Sequence, residues 1–267
     1  NLNGQTCSTL GYHGGTLSCD TSCNYLLTSC EASGQCGDSV LQSTYEECDG
    51  SDLNGQSCAS LGYLFGELQC TDCSFDSTNC TNTTQTGTSS MDRFYDIALD
   101  SANAPVVVGS TGGSYDGYPS SGFDDILLVK YYASSLVKAW SLQWGTSGGD
   151  QARGVAVDSS GNIYVVGYTG GDLDGNSSAG GSDVFLTKLS NVGMKQWTLQ
   201  WGTTGTDRGY GVAVDSVGNI YVTGETGGAL DGNSHLGGAD IFLTKISSAG
   251  VKQWTRQIGS SSDDRGW

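Results

Sequence analysis

The chain has 267 residues, with 42 glycines, only two prolines and a formal charge of −17. This length exceeds the usual single-domain size, so two or more independently packed units are expected. The acidic balance argues against nucleic acid as a partner, because phosphate binding needs clustered Lys and Arg. No run of about 18 apolar residues occurs, so no membrane insertion is expected, and the first residues lack the pattern of a signal peptide.

All ten cysteines lie between Cys7 and Cys80, which divides the chain by one residue type. The sequence around Cys7 is repeated around Cys58, so this part of the chain contains two copies of a repeat. The second copy alone is preceded by two further cysteines, Cys36 and Cys48. Because the first copy lacks this leading pair, we expect that Asn1 is not a natural start. The predicted domains are a partial cysteine-rich repeat over residues 1–30 and a full one over residues 31–80.

Zinc and disulfides are the two interpretations of these cysteines. Cys70 and Cys73 form a CxxC pair, but the matching spacing from Cys19 to Cys23 is one residue longer, and no histidine lies at ligand spacing. Disulfides are favoured because they explain the even count in small units with little core. Five bridges are expected, with Cys36 paired to Cys48 and the other pairings left open. The predicted disulfide cysteines are Cys7, Cys19, Cys23, Cys30, Cys36, Cys48, Cys58, Cys70, Cys73 and Cys80.

The segment CGDSVLQSTYEECDGSDLNGQSCASLGYLFGELQCTDCSFDSTNC resembles the cysteine-rich repeats of large secreted bacterial surface proteins. The resemblance covers residues 1–80. It implies a stalk or spacer module, to which no activity attaches.

Residues 81–90 have no apolar periodicity and are interpreted as a Thr/Ser linker. Asn79, Asn82 and Asn176 match the N-glycosylation pattern, which also arises by chance in a chain rich in Asn and Thr. The unmodified interpretation is favoured, and the threonine cluster is an equal candidate for O-linked sugar.

The rest of the chain carries a repeat of 57 residues, as from Asp158 to Asp215. Each copy contains four strand-like pieces with alternating apolar residues, which predicts an all-β fold of four-stranded blades of the β-propeller type. The predicted blades cover residues 91–144, 145–201 and 202–258, and residues 259–267 begin a fourth copy.

The cores GVAVDSSGNIYV and GVAVDSVGNIYV resemble the bacterial seven-bladed β-propeller repeat family, over residues 91–267. The resemblance implies that GVAVD forms an inner strand near the central channel. It also implies that Trp144, Trp197, Trp201 and Trp254 pack between blades, an interpretation favoured over a sugar-stacking platform. A closed ring needs at least about four blades, so further blades are expected to follow or to come from a neighbouring chain.

Each blade has an acidic loop, as in Asp172-Leu-Asp174-Gly-Asn176. Alternating oxygen side chains on a tight loop are typical of calcium sites, the only cofactor considered, but Asp-Gly is equally a favoured turn. Because the second aspartate recurs while the first is replaced, the turn interpretation is favoured and calcium stays open. The candidate calcium ligands are Asp172, Asp174, Asn176, Asp183, Asp231, Asn233, Asp240, Asp116 and Asp125.

A second set of aspartates recurs at the blade junctions, with an arginine nearby, which predicts an ion pair or a backbone cap between blades. These residues are Asp150, Asp207 and Asp264, with Arg153, Arg208 and Arg265.

No catalytic residues are predicted. Residues 145–149 match GxSxG, but the motif lies between two strand-like pieces rather than before a helix. His13 and His235 are the only histidines, and neither has an evident partner in sequence.

The favoured function is a non-catalytic extracellular structural or adhesive module at the cell surface, within a larger repeat protein. Other surface proteins, glycans or copies of the chain itself are the expected partners. One alternative is a subunit of an extracellular fibre whose blades are completed in trans. Another is a propeller carbohydrate-active enzyme, which predicts a non-repeating acid or a histidine at the channel mouth; the visible blades show none.

Overall fold

The computed structural model describes residues 2–10, 16–30, 41, 46–81, 86–135 and 137–266. The chain forms two compact units, Asn1–Gln85 and Thr86–Trp267, which divide within the segment interpreted as a linker. Parts of that segment are packed: Thr81 pairs with Phe65 in the first unit, and Thr88 donates to Asp92 in the second. His13, Cys36 and Asn82, which the sequence singled out, lie outside the described residues.

The first unit is held together by disulfides around very short elements. Disulfides join Cys7 to Cys30, Cys48 to Cys70 and Cys58 to Cys80, and Cys73 is also disulfide-bonded. The apolar clusters around them are small, so the covalent bonds supply much of the constraint. The described residues of this unit form two 3₁₀-helices, Ser8–Leu10 and Leu27–Ser29, and two antiparallel pairs, β1 (Ser18–Cys19) with β2 (Tyr25–Leu26) and β3 (Gln69–Thr71) with β4 (Ser74–Asp76).

Two expectations about the cysteines are wrong. The expected Cys36–Cys48 bridge does not form, because Cys48 is bonded to Cys70, with the two Cα atoms 5.8 Å apart. The expectation of five bridges also fails, because Cys19 and Cys23 are free thiols. Cys19 is the counterpart of Cys70, and the first copy in this sequence has no counterpart of Cys48 to pair with it.

The second unit consists of three four-stranded antiparallel blades, each a simple meander, which confirms the predicted all-β fold. The first blade is β5 (Asp92–Leu99), β6 (Pro105–Thr111), β7 (Asp125–Tyr131) and β8 (Lys138–Trp144). The second is β9 (Gln151–Val157), β10 (Ile163–Thr169), β11 (Asp183–Leu189) and β12 (Lys195–Trp201), and the third is β13 (Asp207–Val214), β14 (Ile220–Thr226), β15 (Asp240–Ile246) and β16 (Lys252–Ile258). Two short 3₁₀ turns, Leu173–Gly175 and Leu230–Gly232, lie in the loops after β10 and β14, and no described helix is long or apolar enough to span a bilayer.

The middle blade is buried on both faces, because a blade packs on each side of it. Ile163 and Val165 on β10 join the core shared with the first blade. Tyr164 and Val166, which alternate with them, join the core shared with the third blade. A strand buried on both faces therefore carries apolar residues at every position, as IYVV does.

The first strands of the three blades, β5, β9 and β13, lie next to one another. The GVAVD segment accordingly lies on the inner side of its blade, as the resemblance implied.

The tryptophans divide by position in the blade. Trp144 and Trp201 are buried in the two cores between blades, and Trp197 is partly buried against the turn at Gly250 of the next blade. Trp254 is 38% exposed, because the described chain has no further blade beyond the third. Three of the four therefore pack between blades as expected.

Candidate functional site

The inner strand of each blade contains a β-bulge at the same place in the repeat. In β5 the pairing with β6 passes from Phe94 to Asp96, which leaves Tyr95 as the extra residue. In β9 the extra residue is Arg153, and in β13 it is Tyr210. A bulge bends the strand and re-aims a side chain, and bulges are common next to functional sites.

The three bulged residues meet in one pocket of about 350 Å³. The residues that line it are Tyr95 and Asp96 from the first blade, Arg153 from the second and Tyr210 from the third. We call this cavity the bulge pocket. It contains two aromatic rings, one guanidinium and one carboxylate, contributed by all three inner strands.

Arg153 is held in place on two sides. Its guanidinium lies 3.9 Å from the centre of the Tyr95 ring and 5.6 Å from that of Tyr168. Its Nη2 atom donates to Gln151 Oε1 at 2.8 Å, and the Gln151 amide in turn donates to Asp124 Oδ2 at 2.6 Å. Stacking and this relay fix the plane of the guanidinium before any ligand arrives.

Asp96 is fixed by backbone groups. Its Oδ2 accepts from Val155 N at 2.8 Å across the blade boundary, and its Oδ1 accepts from Ile97 N at 2.9 Å. Each oxygen therefore keeps acceptor capacity after one backbone hydrogen bond. Asp96 and Arg153 do not form an ion pair with each other, although both line the bulge pocket.

Tyr210 belongs to a second charged group beside the bulge pocket. Its hydroxyl donates to Glu225 Oε1 at 2.7 Å, and Arg208 Nη1 donates to the same oxygen at 3.0 Å. Burial and the hydrogen bond to Glu225 raise the pKa of Tyr210, so the phenol remains neutral. Arg265 lies farther away, with its Nε 3.7 Å from Glu225 Oε2.

Sequence reasoning missed Tyr95, Asp96 and Tyr210, and it assigned Arg153 to the blade junctions instead. Tyr95, Arg153 and Tyr210 are equivalent positions with different side chains, and Asp96 replaces the glycines Gly154 and Gly211. Asp96 is thus a non-repeating acid on an inner strand, which corrects the statement that none was present. The departure from the repeat at one inner-strand position is the signal that would have found the pocket.

The candidate calcium ligands form two sets, and the first consists of the turn aspartates that pair with a lysine. Asp174 lies in a left-handed turn, with φ of 50°, and its carboxylate binds the Lys195 ammonium and the Thr198 hydroxyl. Asp116 with Lys138 and Asp231 with Lys252 repeat this pairing. The geometry supports the turn interpretation for these aspartates, and calcium binding stays a prediction.

The other candidate ligands stabilise the loop through hydrogen bonds, most of them to backbone groups. Asp172 accepts from Ser178 N, and Asn176 donates through Nδ2 to Leu173 O and Thr198 O, an arrangement that Asn233 repeats. Asp183 accepts through Oδ2 from Ala179 N and Gln200 Nε2. Within the described ranges, no three His, Cys, Asp or Glu side chains are grouped as metal ligands. At one recurring position in the blades, a carboxylate oxygen is buried without a hydrogen bond to described residues: Asp125 Oδ1, Asp183 Oδ1 and Asp240 Oδ1.

The junction aspartates are backbone caps rather than members of ion pairs. Asp150 accepts from Thr146 N at 2.6 Å and from the hydroxyls of Thr146 and Thr169. Asp207 binds Thr203 and Thr226 in the same way, and Asp264 accepts from Ser260 N. This cap includes Thr146 of the GxSxG match, so residues 145–149 form a capped turn between β8 and β9.

Two other sequence candidates have clear positions. Asn79 is exposed, whereas the Asn176 amide donates two hydrogen bonds, which a glycan on Asn176 would have to displace.

His235 does have a partner, since its Nδ1 lies 3.3 Å from Asp240 Oδ2. Burial opposes ionisation of Asp240, but hydrogen bonds from Gln257 and Leu236 N, together with His235, lower its pKa overall.

Comparison with known proteins finds a repeat match within the blades. The model of the beta-propeller repeat matches residues 139–174 and 196–230, which run across the β8–β10 and β12–β14 segments. Among curated proteins, the regulatory protein FlaEY of Caulobacter vibrioides is 30% identical over 165 residues, which is 56% of this chain and 17% of that protein. An uncharacterized WD repeat-containing protein, L264, of Acanthamoeba polyphaga mimivirus is 27% identical over 191 residues, which is 60% of this chain and 14% of that protein.

A shorter similarity is to the acetylcholinesterase collagenic tail peptide of Torpedo marmorata, which is 53% identical over 47 residues, or 17% of this chain and 10% of the peptide. The chain therefore spans less than a fifth of the length of each of these relatives. Two segments of the second unit therefore match the beta-propeller repeat model, and the second unit is built from repeated four-stranded blades.

Proposed function

We propose that this chain is a non-catalytic structural and adhesive module of the cell surface, within a larger repeat protein. The observation that carries the proposal is how the recurring polar side chains are used. A junction between blades is capped by Asp150 with Thr146 and Thr169, and a loop is fixed by Asp174 with Lys195. The polar side chains that recur from blade to blade therefore stabilise the fold. What remains for recognition is the surface and the bulge pocket.

The disulfides support an extracellular setting. Disulfides persist in oxidising compartments and are rare where glutathione keeps thiols reduced. The bonds at Cys7–Cys30, Cys48–Cys70 and Cys58–Cys80 enclose units with too little apolar core to fold easily without them.

Glycoside hydrolysis is less well supported than binding. Such enzymes generally use a pair of carboxylates flanking the bond to be cleaved. Among the described residues that line the bulge pocket, Asp96 is the single carboxylate, and both its oxygens accept backbone hydrogen bonds.

Bead adhesion tests this proposal. Beads coated with the purified chain are passed over surfaces carrying acidic polysaccharides, neutral polysaccharides or extracellular matrix proteins, with albumin-coated beads as the control. We expect retention under flow on at least one surface and no release of soluble sugar. Release of oligosaccharides would identify an enzyme, and retention no greater than that of albumin beads would exclude an adhesive role.

A fibre subunit is the second candidate, because the third blade exposes the face that the second blade buries. Ile258 is 72% exposed, whereas its counterparts Trp144 and Trp201 are 8% and 6% exposed. Leu243 is 40% exposed, and its counterpart Leu186 is fully buried. A blade of a second copy would cover this face, and light scattering would then show polymers that Ile258→Asp abolishes. A monodisperse monomer at all concentrations would contradict this candidate.

A further inference from the structure

In the bulge pocket, the backbone bulge occurs at the same position in every blade, but the side chain at that position differs between blades. The bulge occurs in β5, β9 and β13, yet the bulged residues are Tyr95, Arg153 and Tyr210. If the bulges only shaped the blades, one side chain type would serve in all three. Instead, three strands direct an arginine and two tyrosines to one cavity beside Asp96.

Arg153 is a cation with unused binding capacity. Its one hydrogen bond to described residues goes to a neutral amide, Gln151, and it forms no ion pair with a described carboxylate. Arg208, the counterpart of Gln151 in the next blade, is paired with Glu225. In a chain with a net charge of −17, an unpaired and pre-oriented guanidinium marks a place for a single anionic group.

Tyr210 and Asp96 fit a ring that carries hydroxyl groups, whereas Tyr95 orients the Arg153 guanidinium by stacking on it. Tyr210 offers a flat, partly buried ring against which the C–H face of a sugar could pack. Asp96 keeps acceptor capacity on both oxygens and lies in the same cavity, so it is placed to accept hydrogen bonds from hydroxyl groups. A pocket of about 350 Å³ lies within the usual range for small ligands, which begins at about 300 Å³.

We propose that the bulge pocket binds a sugar bearing a carboxylate, with Arg153, oriented by Tyr95, holding the carboxylate, Asp96 the hydroxyls and Tyr210 the ring. A neutral sugar would leave the Arg153 charge unused. A phosphate would bring a larger negative charge close to Asp96. This inference deepens the proposed adhesive function and rests on it for its biological meaning.

Titration calorimetry on the full chain tests the pocket with galacturonate, glucuronate and N-acetylneuraminate as sugar acids. Glucose and acetate serve as the neutral-sugar and plain-carboxylate controls. We expect at least one sugar acid to bind more tightly than either control. Arg153→Gln should weaken that binding by about ten- to a hundredfold, the usual effect of losing hydrogen bonds to a charged group.

Matched variants separate recognition from folding. Arg256→Gln removes an exposed arginine on β16, outside the pocket, and should leave affinity unchanged. Asp96→Asn keeps the shape of the side chain but removes its charge, and should weaken binding of the sugar acid. If Arg153→Gln does not fold by thermal melting, Arg153→Lys keeps the charge without the planar fork and should still weaken binding.

Three results would overturn the inference: equal affinity for glucose, equal affinity for acetate, or unchanged affinity in the folded Arg153 variant. The bead assay separates this failure from failure of the proposed function. Calorimetry without Arg153-dependent binding, together with beads of the natural chain that adhere, would refute the pocket and leave the adhesive function standing. Beads of the natural chain that do not adhere, together with calorimetry that depends on Arg153, would refute adhesion and leave the pocket standing.

Discussion

Lys252 Nζ lies 2.5 Å from Asp231 Oδ1, and the other oxygen of Asp231 accepts the Thr255 hydroxyl at 2.5 Å. Both partners are on β16, whereas Asp231 is in the loop between β14 and β15, so the contacts pin that loop against the outer strand. Burial opposes ionisation of Asp231, but the hydrogen bonds from Lys252 and Thr255 outweigh it and lower its pKa.

This pair predicts an acid-dependent loss of stability. Because the folded pKa of Asp231 lies below the value of 3.8 for an unperturbed group, the contribution is fully present above that pH. It is lost as the pH falls through the folded pKa. Lys252→Met should lower the free energy of unfolding at neutral pH by about 0.5–1 kcal/mol, since the pair is partly exposed.

Urea unfolding across a pH series measures this effect. Lys245→Met is the control, because Lys245 forms no ion pair with described residues and lies near the Tyr221 ring. A deficit of Lys252→Met that stays constant below pH 3.8 would show that the lysine acts through its apolar stem and not through Asp231.

Gly202 is predicted to tolerate no side chain. A Cβ at this position would lie 2.3 Å from Asp183 Oδ1 and 2.8 Å from Asp207 Oδ2, both in buried carboxylates. Gly202→Ala should therefore destabilise the blades by about 1–3 kcal/mol, the usual cost of overpacking. Gly149→Ala is the matched control, because a Cβ there would meet no atom within 4 Å. Equal unfolding midpoints for the two variants in urea would refute the close approach.

The acidic loops predict the response to chelation. Asp174 and Asp231 are already bound by Lys195 and Lys252, which satisfies their charge without a metal. We therefore expect EDTA to leave the melting temperature of the blades unchanged under non-reducing conditions. A fall in melting temperature that calcium restores would instead establish the calcium interpretation, with Asp125, Asp183 and Asp240 as the first ligands to mutate because each keeps a buried oxygen free.

The free thiols of the first unit predict selective labelling. Cys23 is exposed and Cys19 is half-buried, so a maleimide should modify the native chain at Cys23 faster than at Cys19. Peptide mapping by mass spectrometry identifies the labelled sites, and Cys23→Ser removes the fast reaction. Absence of labelling at both positions without reductant would mean that these cysteines are bonded in solution.

The spacing of the cysteines in the sequence predicts that disulfides form, but it does not predict which cysteines pair. The even count and the small units predict bridges, but pairing depends on which Cα atoms come within about 7 Å. Cys48 bonds Cys70 on β3 because the fold of this unit brings their Cα atoms to 5.8 Å from each other. The repeat pattern grouped Cys48 with Cys36 because both are absent from the first copy, although Cys58 is nearer to Cys48 in sequence.

The sequence by itself determined the blades, because their signals are local. Alternation in IYVVGYT and the 57-residue period are properties of neighbouring residues, and each blade is a meander of consecutive strands. Only the tertiary structure revealed the bulge pocket. Tyr95, Arg153 and Tyr210 are far apart in the chain, and they meet because three inner strands pack side by side and each turns out one extra residue. Convergence of that kind depends on long-range packing, which no local pattern encodes.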